Sequence, residues 1–275
     1  MKHKTAILIT TFLRDSLLCE SVQSIVDNWQ ENFIILIGDQ GRPSEEKAKW
    51  ALSMKEKLDD NFHYREFPFN SGLSYGRNRL VELAKEKKCD YVILASDSFK
   101  FNETLKNIEQ IIEIIKDEHF DIIGGNLWNS ICNWEGKLNL IEDQSFEIDF
   151  VDKTKSHYIG FYPMNIWDCE IMRNFFVAKI DVLLQTKWDE NLKMGEHEDE
   201  FYRLKLQEVK CGWTDYIYIE KMNDRSEEYA KFRKLNFNDG LKKVRDKHSI
   251  KNWVTYKHHE FCHQNLTKHK MMCYN

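Results

Sequence analysis

The chain reads as an α/β protein whose mostly parallel sheet is covered by helices on both faces. Three observations predict this: short continuous apolar runs recur along the first half, amphipathic helical stripes separate them, and polar residues bound each run. Strands buried on both faces lose the inside–outside alternation of a half-exposed strand. Repeated strand–helix–strand units then set the strands parallel, with the crossovers on the two faces.

The elements follow in order. TAILIT (5–10) is the first strand, and Leu18, Val22, Ile25 and Trp29 lie on one stripe of the helix after it. FIILIG (33–38) is the second strand. In FNSGLSYGRNRLVELA (69–84), Gly72 and Gly76 allow close backbone approach at the entry to a helix over about 75–88, where Arg77 can reach a phosphate. The stretch matches neither GxGxxG nor GxxxxGK[ST], so it supports neither a Rossmann fingerprint nor a P-loop. YVILA (91–95) is a third strand. Leu105, Ile108, Ile111, Ile112 and Ile115 mark a helix, and DIIGG (121–125) a further strand. Residues 126–170 are rich in Trp, Asn and Asp without a clear period and read as a surface loop region over the site. NFFVAKIDVLL (174–184) is a strand running into a helix. The segment 188–213 places six carboxylates within residues 189–200, just before a helix-forming stretch.

Composition bounds the function classes. The chain has 275 residues, 42% hydrophobic and 13% aromatic, with a net charge of −5. Its length suffices for one large domain or two small ones, and the aromatic share excludes a disordered chain. The acidic balance argues against a surface built throughout for nucleic acid. No apolar run approaches the roughly 20 residues that span a bilayer, and Ala6–Ile9 is too short for a signal-peptide core. The reading is a cytoplasmic protein, not secreted, either free or peripheral to a membrane. Seven scattered cysteines without CxxC spacing read as free thiols. His258, His259, Cys262, His263 and His269 match no zinc-site pattern.

In sheets of this kind ligands bind beyond the carboxyl ends of the strands. Asp39 and Asp97 stand where strands stop, either as turn residues or as two carboxylates of one ligand site. The run Glu196–Glu200 is either an acidic helix start that complements the macrodipole or the source of a general base.

Taken in order, TTFLR (10–14), ILIGD (35–39), FNSGLSYGRN (69–78), YVILASDSF (91–99), FDIIGGNL (120–127), NFFVAKID (174–181) and the 188–201 run resemble a glycosyltransferase of the GT-A fold. The resemblance is to the ganglioside β-1,4-N-acetylgalactosaminyltransferases and their bacterial or viral relatives, and it touches most of residues 5–220. It implies an inverting enzyme that moves a sugar from a nucleotide-sugar, a UDP-sugar such as UDP-GalNAc or UDP-GlcNAc, to the hydroxyl of a glycan, glycolipid or other acceptor. The donor would meet Thr11, Phe12, Arg14, Asp39, Gly72, Arg77, Asn78 and Ser96–Asp97–Ser98. Asp199 would be the base, with Glu198 and Glu196 as alternatives in register and His197 orienting the acceptor or the base. Glu170 and Asn174 would touch the donor sugar or the acceptor.

The chain departs from the family where a carboxylate triplet would bind Mn²⁺ or Mg²⁺, since Ser96–Asp97–Ser98 keeps one carboxylate. Either Asp97 and Glu220 hold a weak metal, or cations such as Lys100, Lys221 and Arg225 replace it; the expectation is weak or absent metal dependence. A nucleotide-sugar or glycan binder without turnover is the alternative reading, and a metal-dependent nucleotidyltransferase fits least. Residues 1–225 form the expected GT-A domain. The tail, 226–275, is a basic, aromatic extension packed on or beside it, either a solvated face or a contact for an anionic acceptor or membrane surface.

Overall fold

The computed structural model describes residues 3–117, 119–128, 135–140, 145–151, 158–161, 164–223 and 226–257. Among these, three parallel pairings build one side of the main sheet. Strand β1 (Thr5–Thr11) lies between β2 (Phe33–Asp39) and β4 (Tyr91–Ser96), and β3 (Phe62–Glu66) borders β2. Every residue of β1 and β2 is buried, which explains their unbroken apolar runs.

Alternate residues of these strands feed two cores. Ala6, Leu8, Ile34, Leu36, Val92 and Leu94 face one layer, where Leu80 and Ala84 of α3 (Leu73–Glu86), Leu183 of α5 (Ile180–Thr186) and Phe201 and Leu204 of α6 (Glu196–Leu206) pack. Ile7, Ile9, Ile35, Ile37 and Ile93 face the other. There they meet Leu18, Val22 and Ile25 of α1 (Asp15–Asp27), Met54 of α2 (Glu45–Leu58) and the isoleucines of α4 (Ile108–Lys116).

The other side of the sheet is mixed. β11 (Phe176–Lys179) runs antiparallel between β4 and β6 (Ile122–Trp128), β12 (Cys211–Lys221) is parallel to β6, and β10 (Met164–Cys169) and β9 (Tyr158–Phe161) complete that edge. The two-residue β5 (Phe99–Lys100) pairs with the end of β12.

Residues 126–170, expected as loop, instead contribute strands. Besides β9 and β10, β7 (Gly136–Leu140) and β8 (Ser145–Phe150) form a second sheet with β13 (Asn252–Lys257), which runs parallel to β8. These strands are short and buried unevenly, as in the exposed Asn165 and Asp168 of β10, so no period of two stands out. Residues 226–257 therefore re-enter the fold: α7 (Glu227–His248) packs along α6, and β13 completes the small sheet.

Candidate functional site

Register sets the site. Thr11 lies opposite Asp39 and Thr10 opposite Ser96, so the carboxyl ends of β1, β2 and β4 form one edge, with Asp97 the next residue along. Asp97 is completely buried. Thr11 Oγ1 donates to its Oδ2 at 2.7 Å, Arg14 Nε donates to the same oxygen at 3.0 Å, and Ser96 Oγ donates to Oδ1 at 3.1 Å. Arg14 Nη2 also pairs with Oδ1, so the guanidinium grips both carboxylate oxygens. Burial pushes the Asp97 carboxyl up, and Arg14, Thr11 and Ser96 pull against it. The hydroxyls of Ser96 and Ser98 lie 3.1 Å apart.

Asp39 is equally engaged. Gly41 N donates to its Oδ1 at 2.7 Å, Lys47 Nζ lies 2.9 Å from Oδ2, and the Tyr64 hydroxyl donates to Oδ2. Burial and the Asp39 charge raise the Tyr64 pKa, so its proton stays in that bond. Sequence reasoning missed Lys47 and Tyr64. Lys47 sits in a polar helix with one other buried residue, Met54, so no apolar stripe flagged α2.

The start of α3 joins this edge to α6. Gly72 takes φ +98°, a backbone that favours glycine, and its N–H donates to Gln40 Oε1 at 2.6 Å. A Cβ on Gly76 would lie 2.7 Å from Thr10 Cγ2. Arg77 is buried, 3.2 Å from Glu196 Oε1, its guanidinium 5.5 Å from the Trp188 ring centre. Two buried donors here, Gln40 Nε2 and Arg77 Nε, have no acceptor among the described residues. Asn78 makes a reciprocal pair with the backbone of Trp188, both bonds at 2.9 Å, and reaches Glu190 at 3.0 Å. Its amide thus fastens the 188–190 turn rather than standing open beside a nucleotide, as the sequence suggested.

At the start of α6 the acidic run divides by environment. Gly195 caps the helix at φ +79°, and the main chain at Gly240 of α7 passes so close that a Cβ there would lie 2.3 Å from Met194 O. Glu196 belongs to Arg77. Asp199, expected as the base, is fully buried, with Arg203 Nε at 2.9 Å, Lys247 Nζ at 2.8 Å and the imidazole Nε2 of His248 at 2.7 Å. Against the upward push of burial, those three partners hold its carboxyl far below the ordinary range. Through these contacts Asp199 ties the start of α6 to the end of α7.

Glu200 pairs with Arg203 and receives Thr186 Oγ1 at 2.9 Å. Glu198 differs: among the described residues its carboxylate makes no hydrogen bond or ion pair with another residue. Burial first and Glu196 second push its pKa up to about 7, with Arg233 of α7 pulling the other way.

His197 Nδ1 lies 2.9 Å from Asn174 Oδ1, bringing two expected site residues together. Burial, Arg77 and Arg173 lower the imidazole's pKa to about 3, so the ring is neutral, and the contact places its proton on Nδ1 and its lone pair on Nε2. Glu170, expected to touch donor sugar or acceptor, braces β7 against α6 through one oxygen. Its Oε2 accepts from Leu138 N at 2.8 Å and lies 2.7 Å from Lys205 Nζ, which ties β7 to α6.

Helix α7 closes the edge from above. Phe232 meets Phe12 edge-on at 5.2 Å between ring centres, Tyr229 covers the Arg14 guanidinium at 4.1 Å, and Arg42 makes two hydrogen bonds to Glu228, at 3.2 and 2.8 Å. The tail was read as a basic, aromatic extension packed on or beside the domain; which of its rings reach this edge left no sequence signal.

The donor set does not suit a divalent cation. Hard ions take several carboxylate oxygens, whereas the two carboxylates at this edge, Asp39 and Asp97, have all four oxygens committed to Gly41, Lys47 and Tyr64 and to Thr11, Arg14 and Ser96. Glu220 is exposed on β12, opposite Lys100 of β5. Among the described residues no group of three or more His, Cys, Asp or Glu stands close enough to hold a metal. Lys100 lies 3.8 Å from Glu20, and Arg225 and the His/Cys cluster of the tail lie outside the described residues.

Comparison with known proteins identifies the class that uses such an edge. The family described as "Glycosyl transferase family 2" matches residues 6–177. Solved structures of Staphylococcus aureus TarS are similar: TarS 1–349 has a TM-score of 0.57 at 12% identity, the longer TarS 0.56 at 14%, and TarS 1–349 in complex with UDP 0.55 at 12%. Each covers 84% of this chain, which in turn spans 64% of the 1–349 structures and 38% of the longer one. No curated protein matches. The fold is GT-A. The chain belongs to glycosyl transferase family 2.

Proposed function

We propose that the chain transfers a hexose or N-acetylhexosamine from a UDP-sugar, UDP-GalNAc or UDP-GlcNAc in the first instance, to an acceptor hydroxyl with inversion, as in the ganglioside β-1,4-N-acetylgalactosaminyltransferases. The observation that carries this reading is the polar strand edge of Thr11, Asp39 and Asp97, joined through α3 and its Arg77–Glu196 pair to the start of α6, where Glu198 carries a raised carboxyl. The UDP in one TarS structure supports the donor class. The two buried donors without acceptors among the described residues, Gln40 Nε2 and Arg77 Nε, support a polar ligand at the start of α3.

In this reading the nucleoside meets Thr11 and Asp39, and the acceptor lies toward Glu198 and His197. The acceptor oxygen attacks the anomeric carbon and gives its proton to Glu198. The bond from that carbon to the diphosphate oxygen breaks, and its electron pair leaves with UDP. Free thiols at Cys19, Cys89, Cys169 and Cys211 fit a reducing, cytoplasmic setting. The acceptor is a glycan, glycolipid or other hydroxyl, and the cations of α7 suit an anionic acceptor or a membrane surface.

Incubating the protein with a panel of UDP-sugars and oligosaccharide acceptors, with free UDP as the readout, tests the reading. Acceptor-dependent UDP release from one donor is expected. Binding of UDP-sugars with no release from any donor–acceptor pair would favour the binder without turnover.

A further inference from the structure

We propose that Arg14, docked on Asp97, is the cation that receives the donor's diphosphate, in place of the divalent metal that a GT-A fold implies. The proposal rests on the nucleotide-sugar reading above and adds the group that neutralises the leaving charge. Three observations carry it.

First, the single carboxylate left in Ser96–Asp97–Ser98 is saturated. Arg14 contacts both oxygens, and Thr11 and Ser96 donate to one each. A metal at this position would have to displace a guanidinium from a fully buried carboxylate and then remain beside its positive charge. Second, Arg14 is built into the edge. It caps the start of α1 directly beyond β1, its side chain is 10% exposed, and the Tyr229 ring lies over its guanidinium plane at 4.1 Å. A charge held by a carboxylate beneath and an aromatic ring above is pre-oriented, which is what transition-state stabilisation requires. Third, two further cations near this edge have partners of their own: Lys100 stands beside Glu20 and Arg77 on Glu196.

The chemistry balances without a metal. As the acceptor oxygen bonds to the anomeric carbon and its proton passes to Glu198, the electron pair of the broken bond collects on the diphosphate. Arg14 meets that charge with N–H donors and a cation that stays protonated across the working pH range.

Calorimetric titration of the full chain tests the proposal, with UDP and uridine as probes in EDTA and in Mn²⁺. Wild-type protein is expected to bind UDP equally, within twofold, in the two buffers. Arg14→Ala should weaken UDP at least tenfold and uridine less than threefold, because uridine lacks the charge that Arg14 meets. Arg14→Lys, which keeps a cation over Asp97 and guards against misfolding of the alanine variant, should fall between. Mn²⁺ strengthening wild-type UDP binding tenfold or more would overturn the proposal while leaving the donor class intact. So would equal losses for UDP and uridine in the lysine variant. Failure of the wild-type protein to bind UDP in both buffers would remove the donor class and this proposal together.

Discussion

Burial raises a carboxyl's hold on its proton unless cations stand within hydrogen-bonding reach, and the run Glu196–Glu200 contains both cases. Asp199 has two cationic partners and a histidine within hydrogen-bonding reach, and Glu198 has none, although they are adjacent in sequence. Glu198→Gln is expected to lower kcat by about 10²–10⁴-fold, the usual worth of a general base, with UDP binding unchanged within twofold. In the wild-type enzyme kcat/KM should rise with pH to a plateau through an apparent pKa near 7, as Glu198 loses its proton; a flat profile from pH 5 to 9 would remove it as the base. Asp199→Asn should act on stability instead. Breaking one partner out of a buried ion-pair cluster costs about 3–5 kcal/mol, readable as a shift in the urea midpoint. Near-normal stability with lost turnover would return Asp199 to the catalytic role.

At the scale of elements, the crossing of α6 and α7 is set by two glycines. Gly195 and Gly240 let the helix backbones approach until no Cβ fits at Gly240. Gly240→Ala would force the Met194 carbonyl away and is expected to cost about 1–3 kcal/mol, the range for overpacking a close contact. Thermal unfolding of the variant checks this, and an unchanged Tm would mean that the crossing is loose. The same crossing explains which elements were legible. The buried runs of β1, β2 and β4 and the isoleucine stripe of α4 announce themselves, because one-sided or two-sided burial leaves a period in the sequence. Helix α2 has Met54 and Lys47 as its buried residues, and β7 to β10 are short and unevenly covered, so neither carries a period to read.

For the whole molecule, the net charge of −5 averages a site rich in buried carboxylates with a cationic α7 laid across it. Those carboxylates make stability depend on pH. Burial raises both Glu198 and Glu200 to about 7, well above the ordinary value of 4.5. Between those pH values the folded chain keeps protons that the unfolded chain has released. Their contribution is complete below pH 4.5 and is lost as pH rises through 7. Asp199 has the opposite sign, since its folded pKa is depressed; its contribution is complete above its ordinary 3.8 and is lost as pH falls below it. Urea midpoints measured from pH 4.5 to 7.5 should therefore decline with pH in the wild-type protein and flatten in Glu198→Gln/Glu200→Gln. A decline of equal slope in both would show that other groups dominate.

The amino-acid sequence by itself determined the α/β class, the order of the buried strands of the first half and the positions where Asp39 and Asp97 end them. Each of these is written in local apolar spacing, which a dozen residues suffice to display. Only the tertiary structure decided which charged groups remain available. Arg14 and Asp97 are 83 residues apart, Asp199 and His248 are 49, and Arg77 and Glu196 are 119. A carboxylate's readiness to take a proton, or a cation's readiness to meet a diphosphate, depends on what lies within about 3 Å of it. Chain spacing carries no record of that distance.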